Sequence, residues 1–141
     1  MATKLWRIAA GILLISVTLM AMLSCAQKPE PEYASPIAEG ILLAMNENDY
    51  AKYSEHFDQA MKTALPESGF QQANMAIKDK IGDYISKQFL KVVEEGLYTS
   101  VYYKAKFTLE PEDVIVKVVF QEIEGKVYVS GLWFDSPKLR Q

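Results

Sequence analysis

The chain has 141 residues, 50% of them hydrophobic and 23% charged, so it is long enough to fold around one core. Residues 26–141 carry 13 basic and 18 acidic side chains, an acidic balance that disfavours nucleic-acid binding. Cys25 is the only cysteine, which excludes an intramolecular disulfide.

The first 25 residues have the pattern of an export signal. Lys4 and Arg7 give a positively charged start, and an apolar run of 16 residues, 8–23, follows them. That run is shorter than the roughly 20 residues that a membrane-spanning helix needs. Cys25 follows Ser24 directly behind the run, and this position resembles a prokaryotic lipoprotein signal, in which the cysteine is lipidated. An uncleaved signal anchor, or ordinary cleavage nearby, is the alternative.

This pattern predicts where the mature protein is held. We expect it to be exported and anchored through Cys25 to the outer side of the cytoplasmic membrane, or to the outer membrane if the source has one. Residues 26–34 contain Pro29 and Pro31 among polar residues and are predicted to form a flexible, extended tether. Residues 35–141 are expected to form a single domain.

Three amphipathic helices are predicted ahead of a sheet. The first begins at Ser35, a hydroxyl cap that a proline follows. The second is capped by Asp49 and carries apolar residues every three or four positions as far as Leu65. The third begins near Ser68 with the spacing of a capping box and ends at Gly82.

A three-stranded antiparallel meander is predicted over residues 97–134. Residues 124–125 form a tight two-residue turn, with glycine supplying the positive φ, and residues 110–113 form an earlier turn. The turn at residues 124–125 places Phe120 opposite Val129, and the turn at residues 110–113 places Tyr103 opposite Phe120. A fourth strand over residues 84–95 precedes the meander, with its register left open.

The two hairpins agree on one apolar face, which we expect to be the inner face of the sheet. Its predicted members are Val101, Tyr103, Ala105, Phe107, Leu109, Val114, Val116, Val118, Phe120, Val127, Val129 and Trp133. The opposite face is mixed and is expected to meet water or a partner. Its predicted members are Tyr102, Lys104, Lys106, Thr108, Ile115, Lys117, Val119, Gln121, Tyr128, Ser130, Leu132 and Phe134.

Helices followed by an antiparallel sheet define an α+β domain in which the helices cover one sheet face. The order of elements resembles the nuclear transport factor 2-like superfamily of curved-sheet cones. More narrowly, residues 37–134 resemble the prokaryotic family called domain of unknown function 3887. The segments that carry the likeness are Asn48-Asp49-Tyr50, Phe57-Asp58, residues 61–66 and residues 129–134.

The resemblance implies N-terminal helices packed on one face of a curved, mostly antiparallel four-stranded sheet. Members of the family occur alone behind export signals or ahead of α/β-hydrolase domains, and no hydrolase domain follows in this chain. The family has no established catalytic residues, so the resemblance implies none here.

The sequence predicts a protein that is not an enzyme. His56 is the only histidine, and no Gly-x-Ser-x-Gly motif presents a nucleophile. Some cone-shaped relatives in the superfamily are isomerases or dehydratases, and Asp49, Asp58, Tyr53 and Tyr103 would supply a comparable set. The simpler interpretation makes Asp49 a helix cap and Asp58 a solvated helix residue. No cofactor or metal is expected, because neither a calcium loop nor a zinc motif is present.

Two surfaces are candidates for binding. On the inner face the predicted register aligns Ala105, Val118 and Gly131 as a low row, which forms either a small apolar pocket or a notch that a helix fills. The candidate pocket residues are Tyr53, Tyr103, Ala105, Phe120, Gly131 and Trp133.

On the outer face, lysines and aromatic residues lie side by side. The candidate interface residues, for a homodimer or a protein partner, are Tyr102, Lys104, Lys106, Lys117, Tyr128 and Phe134. Alternatively, residues 135–141 or a helix cover them. We prefer a lipid-anchored interaction domain, and the alternative is a cone that binds a small apolar molecule.

Overall fold

The computed structural model describes residues 26–141, so the signal segment and the predicted lipidation of Cys25 lie outside the described residues. Within them, helices precede a four-stranded antiparallel sheet with strand order β1-β2-β3-β4. The helices are α1 (Ala34–Glu47), α2 (Tyr50–Tyr53), α3 (Gln59–Ala64) and α4 (Glu67–Ile81). The strands are β1 (Tyr84–Glu95), β2 (Tyr98–Phe107), β3 (Glu110–Ile123) and β4 (Lys126–Asp135).

The predicted α+β class is confirmed: helices come first and cover one face of a curved four-stranded sheet. This is the arrangement that the resemblance to the nuclear transport factor 2-like superfamily implied. None of the helices between residues 26 and 141 combines the length and the hydropathy that crossing a bilayer requires.

The second predicted helix is interrupted. It divides into α2 and α3 because Phe57 makes a parallel β-bridge to Val129 instead of continuing the helical turn. Asp58 then starts α3 by accepting a hydrogen bond from the backbone N–H of Met61 at 2.7 Å. The apolar spacing from Tyr50 to Leu65 remains compatible with helix, so spacing alone does not show the interruption.

The boundaries of the other helices also follow local chemistry. The prediction that Ser35 caps α1 is wrong, because the helix begins at Ala34 with Tyr33 at the N-cap position and no side-chain cap. The hydroxyl of Ser35 accepts a hydrogen bond from Lys87 Nζ at 2.6 Å. Helix α4 ends as predicted at Gly82, which has a φ of 79° and donates its N–H to the carbonyl of Lys78.

The hairpin between β2 and β3 turns earlier than the sequence predicts. Phe107 pairs with Glu110, so the turn consists of Thr108 and Leu109, and Tyr103 lies opposite Val116. The prediction that Tyr103 faces Phe120 is wrong by four residues. An even shift leaves every side chain on its predicted face. Leu109 is the exception because it lies in the turn and is 53% exposed.

The β3–β4 hairpin has the predicted register only as far as Val129. Phe120 pairs with Val129 but Val119 pairs with Gly131, so Ser130 is an extra residue that forms a β-bulge. Beyond a bulge, the inward and outward positions of a strand exchange. Trp133 therefore lies on the outer face and is 57% exposed, which corrects its predicted place on the inner face.

The same bulge corrects two more predictions. Leu132 and Phe134, expected on the outer face, pair with Val118 and Val116 and pack partly buried against the core. The core itself lies between the helices and the inner face of the sheet. Its largest fully buried side chains include Leu42, Phe57, Phe70, Ile81, Tyr103, Phe120, Val101, Val114, Val116, Val118 and Val129.

Residues 26–34, predicted to be a flexible tether, pack on the sheet instead. Four of these residues make the contacts: Gln27 with the Leu90 carbonyl, Lys28 with Glu94, Glu30 with Tyr103, and Tyr33 with Phe120. The carboxylate of Glu30 accepts the hydroxyl hydrogen bond of Tyr103 at 2.6 Å. Because Tyr103 is completely buried, its hydroxyl needs such an acceptor, and this requirement fixes the segment.

Candidate functional site

A row of alternating lysines and aromatic residues crosses the outer face of the sheet, the face that the helices leave uncovered. Lys91 of β1 pairs with Tyr102 of β2, Tyr102 pairs with Lys117 of β3, and Lys117 pairs with Trp133 of β4. The four side chains therefore stand next to one another across all four strands. We call them the cation–aromatic row.

The ammonium groups of the row lie over its rings. Lys91 Nζ is 4.7 Å from the centre of the Tyr102 ring, and Lys117 Nζ is 5.6 Å from Tyr102 and 5.0 Å from Trp133. Each such contact contributes about 0.5–1 kcal/mol at an exposed site. The contacts hold the charges on the sheet surface, so the row presents positive charge and aromatic rings together.

Trp133 lies directly over Gly131. A Cβ atom on Gly131 would stand 2.5 Å and 2.9 Å from two atoms of the indole ring. No side chain fits beneath the ring, so glycine lets the indole settle against the sheet while the side chain stays 57% exposed. The bulge that directs Trp133 outward is held by Asp58, which accepts a hydrogen bond from the Ser130 hydroxyl at 2.6 Å.

Three lysines in or beside the row form no ion pair in the described residues. Lys106 pairs with Asp113 at 2.6 Å, and this hydrogen bond lowers the pKa of the Asp113 carboxyl below its ordinary value. Lys91, Lys104 and Lys117 have no ion-pair partner among residues 26–141. Strands are spaced by about 4.8 Å, so Lys91 and Lys117 start about 10 Å apart on the sheet. The centre of the face is positively charged although the domain is acidic.

Apolar surface surrounds these charges. Tyr98 and Ile123, at the other end of the outer face, are 46% and 40% exposed, and Val119 and Tyr128 between them and the row are partly exposed. Exposed aromatic and apolar side chains gathered on one face are typical of a contact surface.

The residues predicted for the outer interface are largely brought together. Five of the six share this face, namely Tyr102, Lys104, Lys106, Lys117 and Tyr128. Phe134 is excluded because it pairs inward with Val116.

The C-terminal tail does not cover the row. It is bound at the β2–β3 hairpin, where Glu110 accepts the N–H of Lys138 at 3.0 Å and Leu139 packs against the core.

Sequence reasoning missed Lys91 and Trp133. The register of β1 was open, so Lys91 had no assigned face. Trp133 was placed on the inner face, and alternation gives no signal against that assignment, because residues 132–134 are all apolar.

The residues predicted for an inner pocket are not brought together. Tyr103, Ala105 and Phe120 are fully buried in the core, while Gly131 and Trp133 lie on the opposite face. Ala105 pairs with Lys87 and Val114, so the predicted row with Gly131 does not form.

Two buried tyrosines are held as packing and hydrogen-bonding groups. The Tyr53 ring packs against Phe70 and Phe57, with centroids 4.4 Å and 5.1 Å away. Burial raises the pKa of both Tyr53 and Tyr103 far above the ordinary tyrosine value, so both hydroxyls stay protonated. The Tyr103 hydroxyl donates its hydrogen bond to the carboxylate of Glu30.

The other candidate catalytic residues have structural partners. Asp49 caps α2 by accepting the N–H of Lys52 at 3.1 Å, as predicted. The prediction that Asp58 is a solvated helix residue is wrong, because its carboxylate caps α3 and accepts a hydrogen bond from the Ser130 hydroxyl. His56 lies in the turn between α2 and α3, partly exposed. Within residues 26–141 no group of three or more His, Cys, Asp or Glu side chains is placed to hold a metal ion.

Two shallow clefts are present in the described part of the chain. One, of about 290 Å³, lies between α3 and the β3–β4 hairpin and is lined by Phe57, Asp58, Gln59, Lys62, Ile123 and Tyr128. The other, of about 200 Å³, lies beside Tyr33 and Leu97 at the end of the sheet. Both are smaller than the roughly 300–1,000 Å³ of typical small-molecule sites.

Residues 38–126 match the model of a protein family described as protein of unknown function, DUF3887. The matched residues include all four helices apart from the start of α1, and most of the sheet. The chain belongs to the DUF3887 family. The predicted resemblance to DUF3887 is thereby confirmed, although Gly131 and Trp133 lie beyond the matched residues.

The DUF3887 chain has no significant match among curated proteins. It is similar to the solution structure of a SEC-C motif containing protein from Rhodopseudomonas palustris, with 18% identity and a TM-score of 0.48 over 64% of this chain and 70% of that one. It is also similar to the Rd1NTF2_05 variant, with 15% identity and a TM-score of 0.49 over 72% and 96% of the two chains.

A third similar structure is a protein from Sinorhizobium meliloti assigned as a polyketide cyclase. It shares 16% identity with a TM-score of 0.44, over 71% of this chain and 94% of that one. All three TM-scores lie below 0.5, a level at which structural likeness does not indicate a shared activity.

Proposed function

We propose that this DUF3887 protein is a lipid-anchored, non-enzymatic domain outside the cytoplasmic membrane, which binds a partner through the outer face of its sheet. The observation that carries the proposal is the cation–aromatic row. Trp133 is more than half exposed on the edge strand β4, at one end of a row that also contains Lys91 and Lys117, and neither lysine has an ion-pair partner in the described chain.

The anchoring part of the proposal rests on the sequence before the domain. Lys4, Arg7 and the apolar run over residues 8–23 direct export, and Cys25 follows this run at the position of a lipidated cysteine. The non-enzymatic part rests on the roles of the candidate catalytic groups, since Asp49 and Asp58 are occupied as helix caps and Tyr103 is bound to Glu30.

A second copy of the chain is the less favourable partner. A two-fold symmetric contact through this face would bring the lysines of both copies toward one another, and like charges brought together at an interface cost several kcal/mol. An anionic partner instead gains from Lys91, Lys104 and Lys117. The charge of the face therefore favours one copy binding something negatively charged.

Photo-crosslinking in native membranes tests the proposal. Tyr98 is replaced by a photoreactive phenylalanine, which resembles tyrosine in shape and places the probe on the outer face. Met75 of α4, which is 64% exposed on the helical side, is replaced in the control variant. We expect adducts of protein or lipid from position 98 and none from position 75. Equal labelling from both positions would contradict the assignment of the outer face.

The intact mass of the protein extracted from membranes tests the anchor independently. We expect the chain to begin at Cys25 and to carry the mass of added acyl chains. A chain that keeps residues 1–24, or one that begins at another residue without lipid, would contradict this part of the proposal.

A further inference from the structure

The outer face has a composition that fits a membrane surface. Tryptophan and tyrosine are enriched at membrane–water interfaces, where one part of the ring is apolar and the other meets polar groups. Lysines close to an anionic bilayer gain favourable electrostatic energy. Trp133, Tyr102, Lys91 and Lys117 combine both features in one row, with Lys104 beside it.

We infer that the partner of the outer face is the anionic surface of the membrane that holds the chain. This inference rests on the proposed function, because it requires the lipid anchor at Cys25 and the outer face as the contact surface. It adds the identity of the occupant, an anionic phospholipid headgroup layer.

The short connection between the anchor and the sheet supports the inference. Gln27 donates a hydrogen bond to the backbone carbonyl of Leu90, and Lys28 pairs with Glu94, so both residues are fixed to β1. Cys25 is two residues before Gln27, and an extended chain spans at most about 7 Å over that length. A lipid on Cys25 therefore keeps the sheet within reach of the bilayer at the edge of β1. The same segment continues along the inner face, where Glu30 binds Tyr103, so the anchor sets the distance to the bilayer and does not by itself set the orientation.

Charge then selects the orientation. Residues 26–141 carry 13 basic and 18 acidic side chains, so an anionic bilayer repels the domain as a whole. The outer face is the exception, because Lys91, Lys104 and Lys117 form no ion pair in the described residues, and Asp113, the carboxylate that interacts with Lys104, is already paired with Lys106. Each lysine near an anionic surface strengthens binding by about fivefold. A domain anchored beside β1 lowers its energy by turning this face toward the headgroups.

The shape of the face favours a bilayer over a folded peptide ligand. The two clefts in the described residues lie at the margins, one beside α3 and one at the end of the sheet, and neither crosses the row. A peptide that adds a strand to the sheet would pair with an edge strand, β1 or β4, and not with this face, whereas a broad sheet face can contact many headgroups at once.

The natural fluorescence of Trp133 provides the test. The chain has two tryptophans, Trp6 and Trp133, so removal of the signal leaves Trp133 alone. The mature lipidated protein is reconstituted into vesicles of phosphatidylcholine, and into vesicles of phosphatidylcholine mixed with phosphatidylglycerol. We expect brominated phospholipids to quench Trp133 in the anionic vesicles. We also expect acrylamide, a neutral aqueous quencher, to be at least twofold less effective there than in neutral vesicles.

Two matched variants keep the test specific. Replacing Lys104 and Lys117 by glutamate removes charge from the outer face, whereas replacing Lys62 and Lys80 by glutamate changes net charge equally on the helical side. We expect the first pair to weaken docking by roughly 30-fold or more, so that quenching returns to the neutral-vesicle level, and the second pair to behave as wild type.

The outcomes separate this inference from the proposed function. Equal acrylamide quenching of lipidated wild type in both vesicle types would overturn the inference and leave the outer face to an anionic protein. An equal effect of both lysine pairs would also overturn it, since the attraction would then not come from the outer face. A protein without lipid on Cys25 would contradict the proposed function itself, as the intact mass shows before reconstitution.

Discussion

Gly131 and Trp133 show how one residue position shapes the outer face. The ring of Trp133 occupies the space that a side chain at position 131 would need. Glycine is required at position 131 because the ring approaches the backbone closely. The backbone conformation does not require it, since Gly131 is not among the glycines with a positive φ. The bulge of β4 turns Trp133 to the outer face, and the absence of a Cβ atom on Gly131 lets its indole ring lie against the sheet.

The substitution Gly131→Ala should therefore destabilise the protein by about 1–3 kcal/mol, because the new methyl group displaces the Trp133 ring. The control is Gly40→Ala in α1, where an added Cβ meets nothing within 4 Å. It should stabilise the helix by about 0.5–1 kcal/mol. Urea denaturation measures both changes, and Trp133 fluorescence reports displacement of the ring. A Gly131→Ala protein with wild-type stability and emission would contradict the contact.

Glu110 links folding stability to pH. Its side chain is buried, which by itself raises the carboxyl pKa, but hydrogen bonds from Ser136, Lys138 and Glu112 outweigh burial and hold the pKa below its ordinary value. A carboxyl whose pKa is lower in the folded state stabilises the fold above its unfolded pKa and loses that contribution as pH falls.

We therefore expect wild type to lose stability as the pH falls below about 4.5, the ordinary pKa of glutamate. Glu110→Gln should be less stable than wild type at pH 7, and the difference should shrink as the pH falls through the folded pKa of Glu110. Thermal unfolding at a series of pH values measures this. Two parallel stability curves would show that Glu110 does not contribute through its charge.

At the scale of elements, the break between α2 and α3 depends on Asp58. This residue caps α3 and also accepts the hydroxyl hydrogen bond of Ser130, so it joins a helix to the bulge of β4. Asp49 caps α2 through a single backbone N–H hydrogen bond and has an exposed ion pair with Lys52. The two caps thus have comparable helix contacts but different tertiary contacts.

Asp58→Ala should cost about 2 kcal/mol or more, since it removes a helix cap and leaves Ser130 without its acceptor. Asp49→Ala should cost about 1 kcal/mol or less, because the lost contacts are local and partly exposed. Chemical denaturation of the two variants measures the difference. Equal losses would indicate that the contact between Asp58 and Ser130 adds nothing to stability.

Glu30 attaches the segment 26–34 to the sheet through its hydrogen bond with Tyr103. Glu30→Ala leaves the buried hydroxyl of Tyr103 without an acceptor and should cost about 1–3 kcal/mol. Adding Tyr103→Phe to that variant should recover part of the loss, since no polar group is then left unpaired. A double-mutant cycle by denaturation measures the coupling. Additive effects would contradict the hydrogen bond between these residues.

The elements differ in how far the sequence predicts them. The bounds of β1 and the Glu124-Gly125 turn are predictable because strand ends and tight turns depend on local residues. The bulge at Ser130 depends on a contact with Asp58, distant in sequence, so alternation alone does not locate it. The same is true of the bridge from Phe57 to Val129, which interrupts a regular helical pattern.

At the scale of the whole molecule, the sequence predicts the layered α+β architecture and most of the outer face. An error of four residues in one hairpin register did not change the faces, because side chains alternate with a period of two. The candidate site is predicted only in part. Lys91 and Trp133 join it through the pairing of β1 and the bulge of β4, and both depend on long-range contacts.

The proposed membrane contact involves the whole molecule, because it combines the proposed anchor at Cys25 with one face of the folded sheet. Both proposals require the outer face to be covered when the protein is bound to its native membrane. Oxidative footprinting of side chains measures it most directly, with the membrane-bound protein compared with the same protein extracted in detergent. Tyr98, Tyr102 and Trp133 report on the outer face, and Met75 reports on the helical side.

We predict that the outer-face aromatic residues are several-fold less oxidised in the native membrane than in detergent, while Met75 reacts equally in both. Equal oxidation of Trp133 in the two states would contradict the proposed contact, since the outer face would then be open to water in the membrane-bound protein.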